Sequence, residues 1–537
     1  MNNEGSNNTD RSREAAIIAI VLLLSAAARL YDLGTKDIWY DESLSLLKGL
    51  LSLNMILRDS MSQIAPDAHP LLYPLFLFLW MKLGTSEFMV RLPSALAGTA
   101  TVYFVYVMAR ALFGGRVALI SALLTGLSPF LVSYSQEARN YIFHCLFTVT
   151  SLYCMWKFME EENRRDAIRW AFLYGLLTWL NMNAHYFSMI FIVFENIFFF
   201  ICKWGRSSKI RIWCGIQAAL LIWLAFMTPL IMTQRSQILT FYGTWNPKVT
   251  AQNIVMLFLN LNFTVLQLHQ NILYPMVNKL WGIALITLLL VIGLVRAFRE
   301  GRRGLLIAGW LCFPIAVTLI ASLRHSVLAD RYFTAILPAL FILIALALDS
   351  LKPKALGTIS LCLLVLLYGS SLIQYYGKYT APGYRGFFLQ SLKGQKDFRG
   401  ATGYIGAHAG KDDVILIDES FIFMPLLYYN HSLRKNIHPA KSADDIRRAS
   451  EAPGIIFIHS VPPLPENMVP SWEAGSVPPE LYSALEHYGV PVEKTSVKGI
   501  DIYVFRKRAQ QTSVPYNILT SIINDTCPGN QEQQKLW

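Results

Sequence analysis

Trp39-Tyr40-Asp41-Glu42-Ser43 sets two adjacent carboxylates between aromatic residues, directly after the first long apolar run of the chain. Carboxylates beside a hydrocarbon segment are costly to place, and a carboxylate is a ready acceptor for a hydroxyl proton. The plain alternative is a solvated acidic turn where the chain leaves a membrane. Further along come His69, then Gln136-Glu137-Ala138-Arg139-Asn140-Tyr141, His185-Tyr186 and Asp330-Arg331-Tyr332, each at the polar end of an apolar stretch. These groups matter together only if the elements between them bring them to one side of the membrane.

The composition requires such a membrane. Of 537 residues, 54% are hydrophobic and 15% charged, which exceeds the apolar share of an ordinary soluble chain. The net charge of +12 would suit a nucleic-acid binder, but the basic residues recur in short clusters between apolar segments and form no single patch. Six of the seven cysteines lie in or beside apolar segments and the seventh, Cys527, in a polar tail, so neither a zinc site nor a disulfide framework is legible.

Residues 1–14 read as a short disordered cytoplasmic arm carrying Arg11 and Arg13. The first span covers about 15–31, and Ala26-Ala27-Ala28 keeps a cleaved signal peptide as an alternative. Residues 32–85, interrupted by Pro66, Pro70 and Pro74, form an outer loop with interfacial helices, one of them Leu71 to Trp80. Further spans are expected near 88–110, 117–134, 140–158, 169–184, 186–202, 212–232, 275–295, 304–322, 332–348 and 355–374. The expected fold is therefore an α-helical polytopic membrane protein of about eleven transmembrane helices, with N-terminus inside and C-terminus outside.

Charge bias supports that topology. Arg110 with Arg116, Lys157 with Arg164, Arg165 and Arg169, Arg296 to Arg303, and Lys352 with Lys354 fall in alternate loops on the side of Arg11 and Arg13. Asp41, Glu42, His69, Glu137, Arg139, Tyr141, His185, Tyr186, Arg331 and Tyr332 then face outward. From 375 to 508 strands such as Val414–Ile417 and Ile455–Ile458 alternate with helical stretches, which predicts an extracytoplasmic α/β domain followed by a polar tail at 509–537. Gly403, Gly406 and Gly410 do not follow a strand and form no phosphate-binding loop.

The motif series Ala28-Arg29-Leu30-Tyr31, Trp39 to Ser43, His69-Pro70-Leu71-Leu72-Tyr73, Arg91-Leu92-Pro93-Ser94 and Ser135 to Tyr141 resembles the membrane glycosyltransferases related to dolichyl-phosphate-mannose–protein mannosyltransferases. The aminoarabinose transferases of lipid A belong to the same C-type superfamily. The resemblance is close over roughly the first 200 residues and continues in layout to Asp330-Arg331-Tyr332. It implies an inverting transferase that takes a sugar from a polyprenyl-phosphate donor at the outer face of the cell membrane. Asp41 would be the general base and Glu42 would orient the acceptor or tune its neighbour.

In this reading Glu137 hydrogen-bonds sugar or acceptor hydroxyls, or else pairs with Arg139 or a helix end. Arg331 would hold the lipid phosphate, with Arg139, Tyr141, His69, His185, Tyr186 and Tyr332 as further substrate contacts. Asp41, Glu137 and His69 have the ligand types for a divalent metal ion, the one cofactor considered. The expected partners are the lipid-linked donor, a lipid, glycan or protein acceptor and membrane lipids, with no nucleic acid. A lipid or sugar transporter and an oligosaccharide ligase are the competing functions. A transporter would place its ionisable groups near the midplane on broken helices and show internal repeats, and neither is visible.

Overall fold

The computed structural model describes residues 2–56, 69–203, 207–237, 249–263, 273–324, 327–376, 396–418, 422–440, 442–460, 477, 479–497 and 500–507. Residues 238–248 and 264–272 of the expected 233–274 loop, Pro66, His325 and the tail from 508 onward lie outside the described residues. The chain divides into two compact units. The first contains Met1–Leu33, Ser60–Phe76 and Phe88–Thr380; the second contains Gly34–Asp59, Leu77–Glu87 and Ala381–Trp537.

The first unit is helical. Its elements are α1 (Asn2–Leu30), most of α4 (Glu87–Phe113), α5 (Gly115–Leu127), α6 (Pro129–Ser135), α7 (Tyr141–Glu160), α8 (Arg164–Ala184), α9 (Ser188–Lys203), α10 (Ser207–Gln237), α11 (Ala251–Phe263), α12 (Leu273–Arg299), α13 (Arg302–Ser322), α14 (Leu337–Ser350) and α15 (Lys354–Tyr376). In chain order α2 (Tyr40–Gly49) belongs to the second unit, and α3 (Leu72–Trp80) is divided by sequence between the two. Every segment expected to span is helical. Among the described residues, however, seven helices are long and apolar enough to cross a membrane, or eight if one bent pair counts as a single span. Two of the remaining segments show why the expected eleven exceeds this: α8 opens with Arg164, Arg165, Asp166 and Arg169, and the apolar part of α9 is the short Ser188–Cys202. The chain is an integral membrane protein, and α14, buried from Leu337 to Leu348, is the helix around which α5, α12, α13 and α15 pack.

The span expected at 117–134 is broken. Helices α5 and α6 meet at 59° because Ser128-Pro129 interrupts the ladder: proline lacks an N–H, and the Ser128 hydroxyl caps the new helix by accepting the Leu131 N–H at 3.3 Å. Fully buried Arg29 on α1 fills the space beside this break. Its guanidinium donates to Ser135 Oγ at 3.1 Å, Ser25 Oγ at 2.6 Å and the Gly126 carbonyl at 3.0 Å, so a cation at membrane depth is satisfied by backbone and hydroxyl oxygens. Gly98 on α4 permits the approach, since a Cβ there would lie 2.1 Å from Ser135 Oγ and 2.7 Å from Arg29 Nε.

The second unit is an α/β layer structure. Strands β1 (Val414–Ile417), β2 (Ile437–Pro439), β3 (Gly454–Ser460), β4 (Gly489–Val497) and β5 (Ile500–Lys507) form one sheet in the order β2-β1-β3-β5-β4. The first three are parallel, and β5 runs antiparallel to β3 and β4. Helices α16 (Phe398–His408) and α17 (Phe423–Tyr429) cover one face; α18 (Ala443–Arg448) and α19 (Pro479–Tyr488) cover the other. Alternation along each strand assigns the faces: Ile415, Ile417, Ile456 and Ile458 point to the first, Leu416, Ile455 and Phe457 to the second. The sequence reading did not name β2, β4 or α17. β2 is only three residues long, and β4 is an edge strand whose Pro491 sits at a bulge, where a missing N–H costs no ladder bond.

The first face of the sheet also receives Leu47 of α2, buried among Phe398, Ile417, Leu426 and Ile458. The segment that carries Asp41 and Glu42 therefore folds on the C-terminal α/β layers.

Candidate active site

Within the helical unit, one polar cluster forms where the loop after α6 meets the turn between α8 and α9. Arg139 is buried, and its guanidinium donates to His69 Nε2 at 3.2 Å and to the Tyr141 hydroxyl at 3.3 Å. A guanidinium has no acceptor, so His69 Nε2 receives this bond and the neutral ring carries its proton on Nδ1. His185 ends α8 as its C-cap and accepts the Phe187 backbone N–H on Nδ1 at 3.1 Å, which leaves its proton on Nε2. The rings of His69, Tyr141 and Tyr332 lie 5.7, 5.5 and 5.4 Å from the His185 ring.

The cluster is held by its second neighbours. Asn140 donates to the Ala184 carbonyl at 2.5 Å, joining the loop before α7 to the end of α8. Tyr186 donates to Gln234 Oε1 at 2.7 Å, and Gln234 donates in turn to the His69 carbonyl at 3.4 Å, so α10 also reaches the group. Gln136 donates to the carbonyls of Arg29 and Tyr31 and accepts from the Tyr375 hydroxyl at 2.8 Å, fixing the loop between α1 and α15.

Arg331 and Asp330 open a 3-10 turn, Asp330–Ile336, that leads into α14. The Asp330 carboxylate accepts the Arg331 backbone N–H at 2.7 Å, and the Arg331 guanidinium lies 5.8 Å from the Tyr332 ring. Arg139 and Arg331 both act electrostatically on His185. The charges of Asp330, Glu137 and Arg331 likewise act on the buried Tyr134 phenol, whose ring lies 5.5 Å from that of Tyr141. Seven of the residues singled out in the sequence, namely His69, Glu137, Arg139, Tyr141, His185, Arg331 and Tyr332, thus come together, and Tyr186 joins them through Gln234. Two guanidinium groups beside imidazole and phenol rings are suited to hold a phosphate and orient a ring hydroxyl.

Asp41 and Glu42 belong to the other unit, in the first turn of α2. Trp39 is extended, and its N–H is accepted by Glu42 Oε2 at 3.4 Å, a helix-capping contact by a fully buried side chain. Ser43 donates to the Tyr40 carbonyl at 2.6 Å. Asp41 is half-buried at the same helix end, where the macrodipole favours a negative charge. The two adjacent acids therefore differ in burial: Glu42 closes the helix from a fully buried position, and Asp41 is half-buried.

Sequence reasoning named Asp330 without giving it a role, and missed Gln234 and the pair His144–Asn181, whose imidazole and amide extend the cluster. His144 stacks on His185 at 5.2 Å and donates from Nδ1 to Asn181 Oδ1 at 2.7 Å; Asn181 donates to Thr148 Oγ1 at 3.0 Å. The signal that could have found them is a polar side chain inside an apolar span. Among the described residues no three His, Cys, Asp or Glu side chains converge as a metal ion would require, and Asp41 belongs to a different unit from His69 and Glu137.

Residues 68–232 match the family model of the dolichyl-phosphate-mannose-protein mannosyltransferases. No curated protein matches the chain in sequence. In fold, the chain is similar to ArnT from Cupriavidus metallidurans in the apo state, with a TM-score of 0.61 at 12% identity over 92% of this chain and 98% of that one. The same protein bound to undecaprenyl phosphate gives 0.58 at 13% identity over 93% and 99%. The archaeal oligosaccharyltransferase AglB from Archaeoglobus fulgidus, in complex with an inhibitory peptide and a dolichol-phosphate, gives 0.52 at 12% identity over 95% and 75%. The motif resemblance is thus met over residues 68–232, and the ArnT fold extends over nearly the whole chain.

Proposed function

We propose that the chain is an inverting glycosyltransferase that moves a sugar from a polyprenyl-phosphate donor to a hydroxyl or phosphate acceptor. The observation that carries this reading is the buried Arg139–His69–Tyr141–His185 cluster with Arg331 beside it, built largely from the segment that matches the mannosyltransferase family. The kinship of fold with a protein that binds undecaprenyl phosphate and with one that binds dolichol-phosphate supports a lipid phosphate as the donor's leaving group.

For a hydroxyl acceptor, the oxygen attacks the anomeric carbon from the face opposite the phosphate. The new C–O bond forms as the bond from that carbon to the phosphate oxygen breaks, and the electron pair leaves with the polyprenyl phosphate. The acceptor proton passes to the Asp41 carboxylate, whose place in the first turn of α2 leaves it half-exposed. Arg139 and Arg331 compensate the charge that develops on the phosphate. A single displacement of this kind inverts the anomeric configuration.

The test is transfer from a radiolabelled polyprenyl-phosphate hexose to a membrane extract by the purified chain in proteoliposomes. We expect Asp41→Asn to lower kcat by about a hundredfold or more while donor binding persists, as for loss of a general base. Unchanged transfer in Asp41→Asn would move the base elsewhere, and a wild type that consumes no donor would refute the transferase reading.

A further inference from the structure

We infer that Tyr429, in the C-terminal α/β layers, is a positioning residue for Asp41, so that these layers form a working part of the transferase. The inference rests on the assignment of Asp41 as the base.

Tyr429 is the last residue of α17, and its hydroxyl uses both its proton and a lone pair. It donates to Glu87 Oε1 at 2.9 Å and accepts the backbone N–H of Ile38 at 2.9 Å. Glu87 is at the same time ion-paired with the Arg399 guanidinium, and the Arg399 backbone N–H donates to Asp37 Oδ2 at 3.0 Å. Two consecutive residues, Asp37 and Ile38, are therefore held by two different C-terminal helices, α16 and α17. Ile38 is fully buried, so its N–H has no recourse to water. Burial raises the Tyr429 phenol well above its ordinary range, and the Glu87 and Asp37 carboxylates add to the effect, which keeps the hydroxyl protonated as a donor.

The far end of α2 is fixed as well. Leu47 enters the core formed with α16 and α17, and Gly49 lies so close to Leu77 that a Cβ would stand 2.9 Å from the Leu77 Cβ. A helix clamped at both ends behaves as a rigid lever, and Asp41, the second residue of α2, lies three residues beyond the Ile38 anchor. General-base catalysis tolerates little displacement of the base, so a loosened anchor is read in the chemical step.

The experiment measures transfer from the radiolabelled polyprenyl-phosphate hexose by the full chain in proteoliposomes, with rates expressed per donor-binding molecule. Tyr429→Phe, which removes only the hydroxyl, is expected to lower kcat by about tenfold to a hundredfold with the donor KM within about twofold. Arg399→Gln, which loosens the same clasp from the other side, is expected to act in the same direction. Tyr428→Phe is the matched control: it removes a neighbouring bond, from the Tyr428 hydroxyl to the Thr85 carbonyl at 2.6 Å, and is expected to keep wild-type kcat. In the double variant Asp41→Asn/Tyr429→Phe the second change should cost nothing further, because the hydroxyl acts through the carboxylate.

Wild-type kcat in both Tyr429→Phe and Arg399→Gln would overturn the inference while leaving the proposed function intact. So would a Tyr429→Phe effect that persists undiminished on the Asp41→Asn background, or an equal loss in Tyr428→Phe. Full transfer by Asp41→Asn alone is a separate result that refutes the base, and the inference falls with it.

Discussion

Arg139 shows how much a single side chain decides at this site. One terminal nitrogen of its guanidinium serves both His69 and Tyr141. A lysine would keep the charge but would lose the planar, multi-donor geometry that suits phosphate. Arg139→Lys is therefore expected to raise the donor KM by about tenfold with a smaller change in kcat, measured in the same transfer assay. An unchanged KM would place the lipid phosphate away from Arg139. Asp37 carries a different prediction. Burial, aided by Asp397 and Glu87 and opposed by Arg399, raises its carboxyl above the ordinary range. A raised carboxyl contributes stability that is complete below the unfolded-state value of about 3.9 and is lost as pH climbs through the raised value. Asp37→Asn keeps an acceptor for the Arg399 N–H and removes the titration. The thermal midpoint of Asp37→Asn should thus gain on wild type as pH rises through that window, and a pH-independent difference between the two would show that Asp37 is not shifted.

At the scale of elements, the sequence was legible wherever a helix or strand answers to its own pattern. The strand Val414–Ile417 follows from an unbroken β-branched and leucine run and has the expected bounds. The break at Ser128-Pro129 was written in the sequence as well, but the apolar run on either side masked it. What stayed hidden were pairings between elements: Gln234 of α10 reaching Tyr186 and His69, and the stack of His144 on His185, depend on which helices pack together. The α2 helix is the sharpest case. Its ten residues are buried from Glu42 to Gly49, a pattern that does not say what covers them, and Leu47 enters the α16–α17 core. Leu47→Ala should cost about 2–5 kcal/mol of the stability of the α/β unit, seen as earlier proteolysis or a lower thermal midpoint. Loss of transfer should accompany it, since the helix bearing Asp41 would be anchored at one end only. Full stability in this variant would mean that α2 is held by its N-terminal contacts alone.

At the scale of the molecule, the candidate site is drawn from a chain whose units are not contiguous. The second unit takes Gly34–Asp59 and Leu77–Glu87 from the N-terminal quarter and closes them against residues after Ala381. Reading in order assigns the first of these stretches to a loop of the membrane part, because composition changes at residue boundaries and cannot report a partner several hundred residues away. The Asp41 motif was therefore legible as chemistry and the α/β layers as a domain, whereas the packing of the α2 segment on those layers was not. Similarity of fold to ArnT extends over nearly the whole chain, whereas the family match stops at residue 232. The segment of recognisable sequence carries the cluster around Arg139, and the shared fold carries the rest.

The bond from Ile38 to Tyr429 spans 391 residues of chain. A ribosome adding roughly 5–20 residues per second needs about 20–80 s to cover that distance. Throughout that interval the Asp41 segment has already emerged, while the residues that will grip it have yet to be made. A nascent chain can thus insert its first helices and assemble the arginine cluster without a completed base. On the proposed assignment of Asp41 as the base, a chain cut short anywhere ahead of Tyr429 is expected to lose transfer, because the layers that hold the Asp41 segment are then incomplete.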